Sequence, residues 1–266
     1  MTVTIERALP VDGLHEDIPE QEYHADSGSL SSTEAKTLLY QGPRAYQWAK
    51  DHPVQKDAYD LGNVVHALVL GVGDYEVLDF ADYRTKAAQQ ARDEARAAGK
   101  TPILPRDLAP AQAMRDAIYD NSMAAWLLGA GRPEVSLWAT DPETGVLMRG
   151  RIDWLRDNAF VDVKTSKDPT DPRAYARTAW KLGYHVQAAW YQRLLRLNGF
   201  DLPPLWVAVH KTEPHETYVH QPDSEMLAVG HEEVDRALHL YASCQASGRW
   251  PGLADADTIH TLERPW

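Results

Sequence analysis

Two short alternating runs joined by a polar tetrapeptide constrain this chain more than any other feature. In residues 149–155, Ile152 and Trp154 alternate with Arg151 and Asp153; in residues 160–164, Val161 and Val163 alternate with Asp162 and Lys164. A period of two predicts two β-strands, each with an apolar and a polar face. With residues 156–159 as the loop and Leu155 paired with Phe160, Asp153 falls opposite Asp162, and Arg151 opposite Lys164. Side chains so opposed stand about 5 Å apart, where like charges destabilise a sheet. Two facing carboxylates therefore ask for a cation, and oxygen ligands suit Mg²⁺ or Mn²⁺. Lys164, two residues beyond Asp162 on the same face, would point at whatever that cation holds. On this reading, loss of Asp162 relieves repulsion and leaves the fold intact. A hairpin can also carry two aspartates on a solvated face with no chemistry at all.

The surrounding pattern predicts helices and strands around this hairpin. Residues 1–28 are polar and read as a loosely structured lead-in. A helix follows, capped by Ser31 or Ser32 with Glu34 near its third position, and ends before Gly42-Pro43. Further helices are expected over 45–50, over 60–70 with Gly71 closing it, over the Ala- and Arg-rich stretch 84–100, and over 110–128. Strands are expected at 74–80 and 134–138, with a turn at 141–145 leading into the hairpin. Helices at 172–181 and 184–198, strands at 206–210 and 216–220, and a last helix at 224–247 complete the order. The fold class is α/β (α+β), a central mixed sheet flanked by helices.

Composition narrows the function classes. The chain of 266 residues can hold one large domain, or one domain with an N-terminal segment. A lone cysteine, Cys244, excludes an internal disulfide and a thiolate metal cluster, and points to the cytosol. No apolar run approaches a membrane span, and the N-terminus has no basic-then-apolar signal pattern. A net charge of −12 argues against a passive, non-specific nucleic-acid binder. Yet residues 149–196 carry more basic than acidic side chains, and Arg149, Arg151, Lys167, Arg173 and Arg177 are candidate phosphate contacts. A mixed-charge helical surface is the bland alternative. No Gly-rich phosphate loop, nucleophile elbow or His-Glu-x-x-His zinc motif is present, so any phosphodiester chemistry would run without ATP.

Other candidates gather around the hairpin. His66, in Gly62-x-x-x-His66 on an apolar helix, is either a hydrogen-bonded core residue or a third metal ligand. Glu134 opens the strand before the hairpin and either adds a carboxylate or is solvated. Gln187 and Tyr191, at i and i+4, share a helix face; they could bind a phosphate or a water, or be ordinary polar positions.

Taken together, residues 149–166 followed by Tyr184-His-Val-Gln187-Ala-Ala-Trp-Tyr191 resemble the RecE-like (exodeoxyribonuclease VIII) phage-type exonucleases of the PD-(D/E)XK nuclease superfamily. Tyr23-His24-Ala-Asp, Leu30-Ser-Ser-Thr, Gly42-Pro-Arg44-Ala-Tyr46 and Leu61-Gly62-x-x-x-His66 look like the start of the same domain, which divides the chain into a lead-in of residues 1–22 and a nuclease domain of residues 23–266. The resemblance implies a Mg²⁺-dependent exonuclease, with Mn²⁺ able to substitute, that digests linear duplex DNA from 5′ ends and leaves 3′ tails for a RecT-type annealing partner. It implies metal binding by His66, Asp153 and Asp162, a catalytic Lys164, roles for Gln187, Tyr191 and Glu134, a ring-shaped homo-oligomer, and a phage or prophage origin in a bacterial cytoplasm. Another polarity, a single-strand preference, or a non-catalytic module that binds DNA ends or a partner remain alternatives.

Overall fold

The computed structural model describes residues 12–52, 60–254 and 258–262. A seven-stranded mixed sheet forms its centre. Along the sheet run β1 (Gly13–His15), β5 (Arg132–Thr140), β6 (Leu147–Leu155), β7 (Phe160–Ser166), β8 (Pro204–His210) and β9 (Thr217–His220); β2 (Leu30–Ser31) joins β6 off this path. Neighbours are antiparallel except for β7 with β8 and β2 with β6. A separate parallel pair, β3 (Tyr75–Val77) and β4 (Thr101–Ile103), lies outside this sheet.

Helices cover both faces, as the fold class requires. On one face, α2 (Ser32–Tyr40), α3 (Pro43–Asp51), α9 (Tyr184–Leu197) and α10 (Ser224–Ser247) bury Met148, Ile152, Leu155 and Phe160 under Leu38, Trp190, Leu194 and Leu238. On the other, α4 (Asp60–Leu70), α6 (Pro105–Asp120) and α7 (Ser122–Leu128) pack on Val161, Val163, Val207 and Val209. The remaining helices are α1 (Glu20–Ala25), α5 (Lys86–Ala97) and α8 (Pro172–Lys181). Alternation therefore does its expected work on β7: Phe160 and Val161 go to opposite cores. Each fully buried aliphatic side chain contributes roughly 1.5–3 kcal/mol. Polar ties fix α9 on the sheet, where the Trp190 indole N–H donates to the Arg149 carbonyl at 2.9 Å. Gly150 lets α9 come that close, because a Cβ there would stand 2.7 Å from Leu194 Cδ1 and 2.9 Å from the Tyr191 ring.

Several local expectations are met. Ser31 caps α2 and forms a reciprocal capping box with Glu34. Leu155 pairs with Phe160, and α10 spans the expected residues. Others need correction. The helix expected over 110–128 is two helices, because the Asn121 side chain accepts from the Met123 and Ala124 N–H groups and starts α7. Its predecessor starts earlier, with Pro105 in its first turn. The part of the lead-in that is described is not loose: β1 pairs with β5, and Tyr23 of α1 is buried. Residues 1–11 lie outside the described residues. Among the described residues, no helix is long and apolar enough to cross a membrane.

Candidate metal centre

Strand β6 changes partner along its length, and the site lies where it does so. Its first residues pair with β2, Met148 with Leu30 and Arg149 with Ser31. Its last two pair with β7, Trp154 with Val161 and Leu155 with Phe160. Between these contacts β6 and β7 part. The expected facing pairs Asp153–Asp162 and Arg151–Lys164 are therefore not ladder partners. Instead Asp153 Oδ2 accepts the Val163 N–H at 2.7 Å, replacing the ladder bond that the parting strands give up.

Arg149 and Arg151 are spent on the fold and correct the expectation that they contact phosphate. Arg149 is 7% exposed and donates to the carbonyls of Asp26 and Ser29, with Glu34 at 3.0 Å. Arg151 donates to Ser136 Oγ and to the Ile18 carbonyl, 3.7 Å from Glu134. Lys167, Arg173 and Arg177 are exposed, as a phosphate contact requires.

Three lone-pair donors converge at the gap. His66, from α4, has Nε2 2.6 Å from the Val163 carbonyl, which can only accept; Nε2 therefore carries the proton, and Nδ1 presents its lone pair. Nδ1 is 3.7 Å from Asp153 Oδ2. The ligand atoms of His66, Glu134 and Asp153 all lie within 4.8 Å of one another. A ring nitrogen oriented by a carbonyl and flanked by two carboxylates is a donor set that suits a divalent cation. Glu134 reaches this cluster from a left-handed backbone, with φ 52°, which costs a non-glycine residue about 1–2 kcal/mol.

Electrostatics register the crowding. Burial and the neighbouring Asp153 carboxylate push the Glu134 pKa up to about 8. Burial and the nearby Asp162 raise Asp153 to about 6. Asp162 stands on the α9 side of the gap. Its Oδ2 pairs with the Lys164 ammonium at 2.5 Å, while its Oδ1 accepts from Gln187 Nε2 at 3.1 Å. Gln187 Oε1 accepts from Lys164 Nζ at 3.0 Å, and Gln187 Nε2 also reaches Tyr191 Oη at 3.1 Å. Gln187 and Tyr191 thus hold the Asp162–Lys164 pair in place. Burial opposes the charge on Lys164, yet Asp162, Tyr184 and Asp153 keep its pKa above the ordinary lysine value, so it stands as an ammonium. Removing Asp162 would strand that ammonium, 16% exposed, which corrects the expectation that its loss leaves stability untouched.

A second lysine escapes a reading of the sequence. Lys36 of α2 lies beside Tyr184, its Nζ 6.0 Å from the ring centre, and Lys164 Nζ lies 4.7 Å from the same centre. Burial and the charge of Lys164 lower the Lys36 pKa to about 8. Nothing in the spacing of α2 marks it, since its neighbourhood is created by α9.

The fold resembles that of a crystal structure described as "Putative exonuclease" from Eubacterium rectale, with TM-score 0.63 and 14% identity, covering 94% of this chain and 96% of that one. A second solved structure, SSO0001, shares 11% identity over 83% of this chain and 81% of its own at TM-score 0.37, too little likeness for any argument. No curated protein sequence matches. Residues 29–260 match the family model described as "PDDEXK-like domain of unknown function (DUF3799)", and the chain belongs to that family.

Proposed function

We propose that the protein is a Mg²⁺-dependent exonuclease that degrades linear duplex DNA from its 5′ ends and leaves 3′ single-stranded tails for annealing-type recombination. The observation that carries this reading is the convergence of His66 Nδ1, Glu134 and Asp153 beside the Asp162–Lys164 pair, where two strands of a PDDEXK-like sheet part. His66, Glu134 and Asp153 would hold a divalent ion, and Asp162, paired with Lys164 on the other side of the gap, would be the further carboxylate available to it. When bound, a divalent ion supplies Lewis-acid polarisation of the scissile phosphodiester. Lys164, held as an ammonium, stabilises the charge that develops on the phosphate oxygens. Gln187 and Tyr191 are positioning residues for that pair. Lys167, Arg173 and Arg177 steer the backbone toward the gap. The exonuclease description of the E. rectale protein and the sequence resemblance to RecE-like enzymes support the same reading. The resemblance to RecE-like enzymes also implies a RecT-type annealing partner, a homo-oligomer around DNA, and work in the cytoplasm of a host carrying phage or prophage.

Linear duplex labelled separately at its 5′ and 3′ ends tests this, with a closed circle as control. Early loss of the 5′ label in Mg²⁺, with the circle intact, is the expected result. Early loss of the 3′ label would reverse the polarity, and a cut circle would make the enzyme an endonuclease. No cleavage in Mg²⁺ or Mn²⁺ would replace the enzyme with a binding module.

A further inference from the structure

Outside the metal centre, one surface combines unpaired cations with exposed aromatic rings. On α8, Arg173, Trp180, Arg177 and Lys181 project within an arc of about 100° on one helix face, at 100° per residue. All four are exposed. Among the described residues, Arg173, Arg177 and Lys181 form no ion pair with a carboxylate, whereas Arg132, Arg193, Arg196 and Arg236 are each paired. Trp180 is 50% exposed and lies flat on His185, ring centres 4.4 Å apart and planes 6° apart. His185 is itself buried and faces Glu233 at 3.3 Å, and Glu233 also accepts from Tyr40 Oη at 2.6 Å. The indole is therefore clamped on one side and open on the other.

A chain of contacts leads from this surface toward the proposed active site. Gly183, with φ 65°, brings Tyr40 and the stem of Lys36 against the turn between α8 and α9. Lys36 Nζ reaches the Leu182 carbonyl at 3.4 Å and shares the Tyr184 ring with Lys164. The side chains of Tyr40 and Leu182 are 42% and 47% exposed. Trp126 and Trp48, both 59% exposed, are more exposed than Trp180. Trp126 lies under the Arg156 guanidinium, and Trp48 stacks on His52 just after α3 much as Trp180 stacks on His185. What sets Trp180 apart is its place in α8 beside Lys181 and Leu182, next to Lys36.

We propose that the surface from Trp180 past Leu182 and Tyr40 to Lys36 binds one unpaired DNA strand, a base stacking on Trp180 and phosphates lying along Arg177, Lys181 and Lys36. An open aromatic face accepts any base but only an unstacked one, so it selects single strand over duplex. The cations supply sequence-independent attraction to the backbone. The inference rests on the nuclease reading above and adds to it the route by which a strand reaches Lys164.

Binding of a short dye-labelled oligothymidine, followed by anisotropy in EDTA, tests the track without cleavage. The parent should bind, and Trp180→Ala should weaken binding by roughly 5- to 150-fold, the range found for loss of one base–aromatic stack. Trp180→Tyr should keep most of the affinity, and Trp126→Ala should bind as the parent does. The variant Arg177→Gln/Lys181→Gln touches only exposed side chains; it should make the plot of log affinity against log salt shallower by roughly 1.4, about 0.7 per lost phosphate contact. Parent-like affinity in Trp180→Ala, an unchanged salt slope in the double variant, or no binding by the parent would each overturn the track. Cleavage assays judge the nuclease separately. A parent that cleaves while Trp180→Ala binds normally loses the track alone; a parent that binds through Trp180 but never cleaves loses only the nuclease.

Discussion

The carboxylates of Glu134 and Asp153 should make the metal-free protein less stable as pH rises, and Glu134→Gln should remove much of that loss. Both pKa values are raised, first by burial and then by a neighbouring carboxylate, Glu134 to about 8 and Asp153 to about 6. Their ordinary values are 4.5 and 3.8. A group whose folded pKa is raised binds its proton more tightly in the native state. Its contribution is complete below the unfolded pKa and is lost as pH climbs through the folded one. For Asp153, 13% exposed, the shift corresponds to about 3 kcal/mol at about 1.4 kcal/mol per unit. Glu134 is a third exposed and partly screened, and because the two groups repel each other their costs overlap rather than add. Replacing Glu134 should therefore recover roughly 1–3 kcal/mol at pH 8, equivalent to about 2–5 °C in Tm for a chain of 266 residues. At pH 6, already above the unfolded value of 4.5, about half of that loss has accrued, so the gain there should be roughly half as large. Thermal unfolding of parent and Glu134→Gln in EDTA at both pH values measures this double difference. A Tm gain equal at pH 6 and pH 8, or a variant less stable than the parent at pH 8, would refute the argument that these two carboxylates repel across the gap.

Three further outcomes follow from the same geometry. Lys164→Ala should lower cleavage by about 10²-fold or more and lose roughly 3–5 kcal/mol of stability by leaving Asp162 buried and unpaired; turnover assays and urea unfolding measure the two effects. Asp162→Asn should abolish cleavage while costing less stability than Asp162→Ala, because the amide still accepts from Lys164; comparison of their urea midpoints checks the difference. Gly230→Ala should cost about 1–3 kcal/mol or more, since its Cβ would meet the His185 carbonyl oxygen at 2.5 Å and neither backbone can yield, and it should lower the urea midpoint.

Alternation made the hairpin and its turn register legible, because Leu155 and Phe160 each need a buried face beside them. It could not reveal the gap. That gap exists because β2, two residues long, takes the edge of β6 at Met148 and Arg149, and two residues carry no readable period. The same holds for β1, three residues that continue the sheet beyond β5. Arg149 and Arg151 looked free for phosphate because their partners Asp26, Ser29 and Ile18 come from a distant part of the chain. Asp153, His66 and Glu134 were each named as candidates from motif and resemblance, Glu134 with the solvated reading left open. The grouping of Glu134 with them depends on a left-handed φ that no propensity assigns to glutamate.

The distribution of cations reconciles an acidic chain with an anionic substrate. Of the basic residues between 149 and 196, Arg149, Arg151 and Arg193 are tied to carboxylates or carbonyls, and Arg156 to the carbonyls of Trp126 and Ala130. Among the described residues, Arg173, Arg177 and Lys181 of α8 form no ion pair. At physiological salt a charge is felt over about 8 Å, so a phosphate close to α8 responds to Arg173, Arg177 and Lys181 rather than to the distant acidic surface. On the proposed reading, the net charge of −12 would favour selectivity, because the general acidity disfavours DNA while the α8 stripe past Trp180 and Lys36 leads it to the gap between β6 and β7.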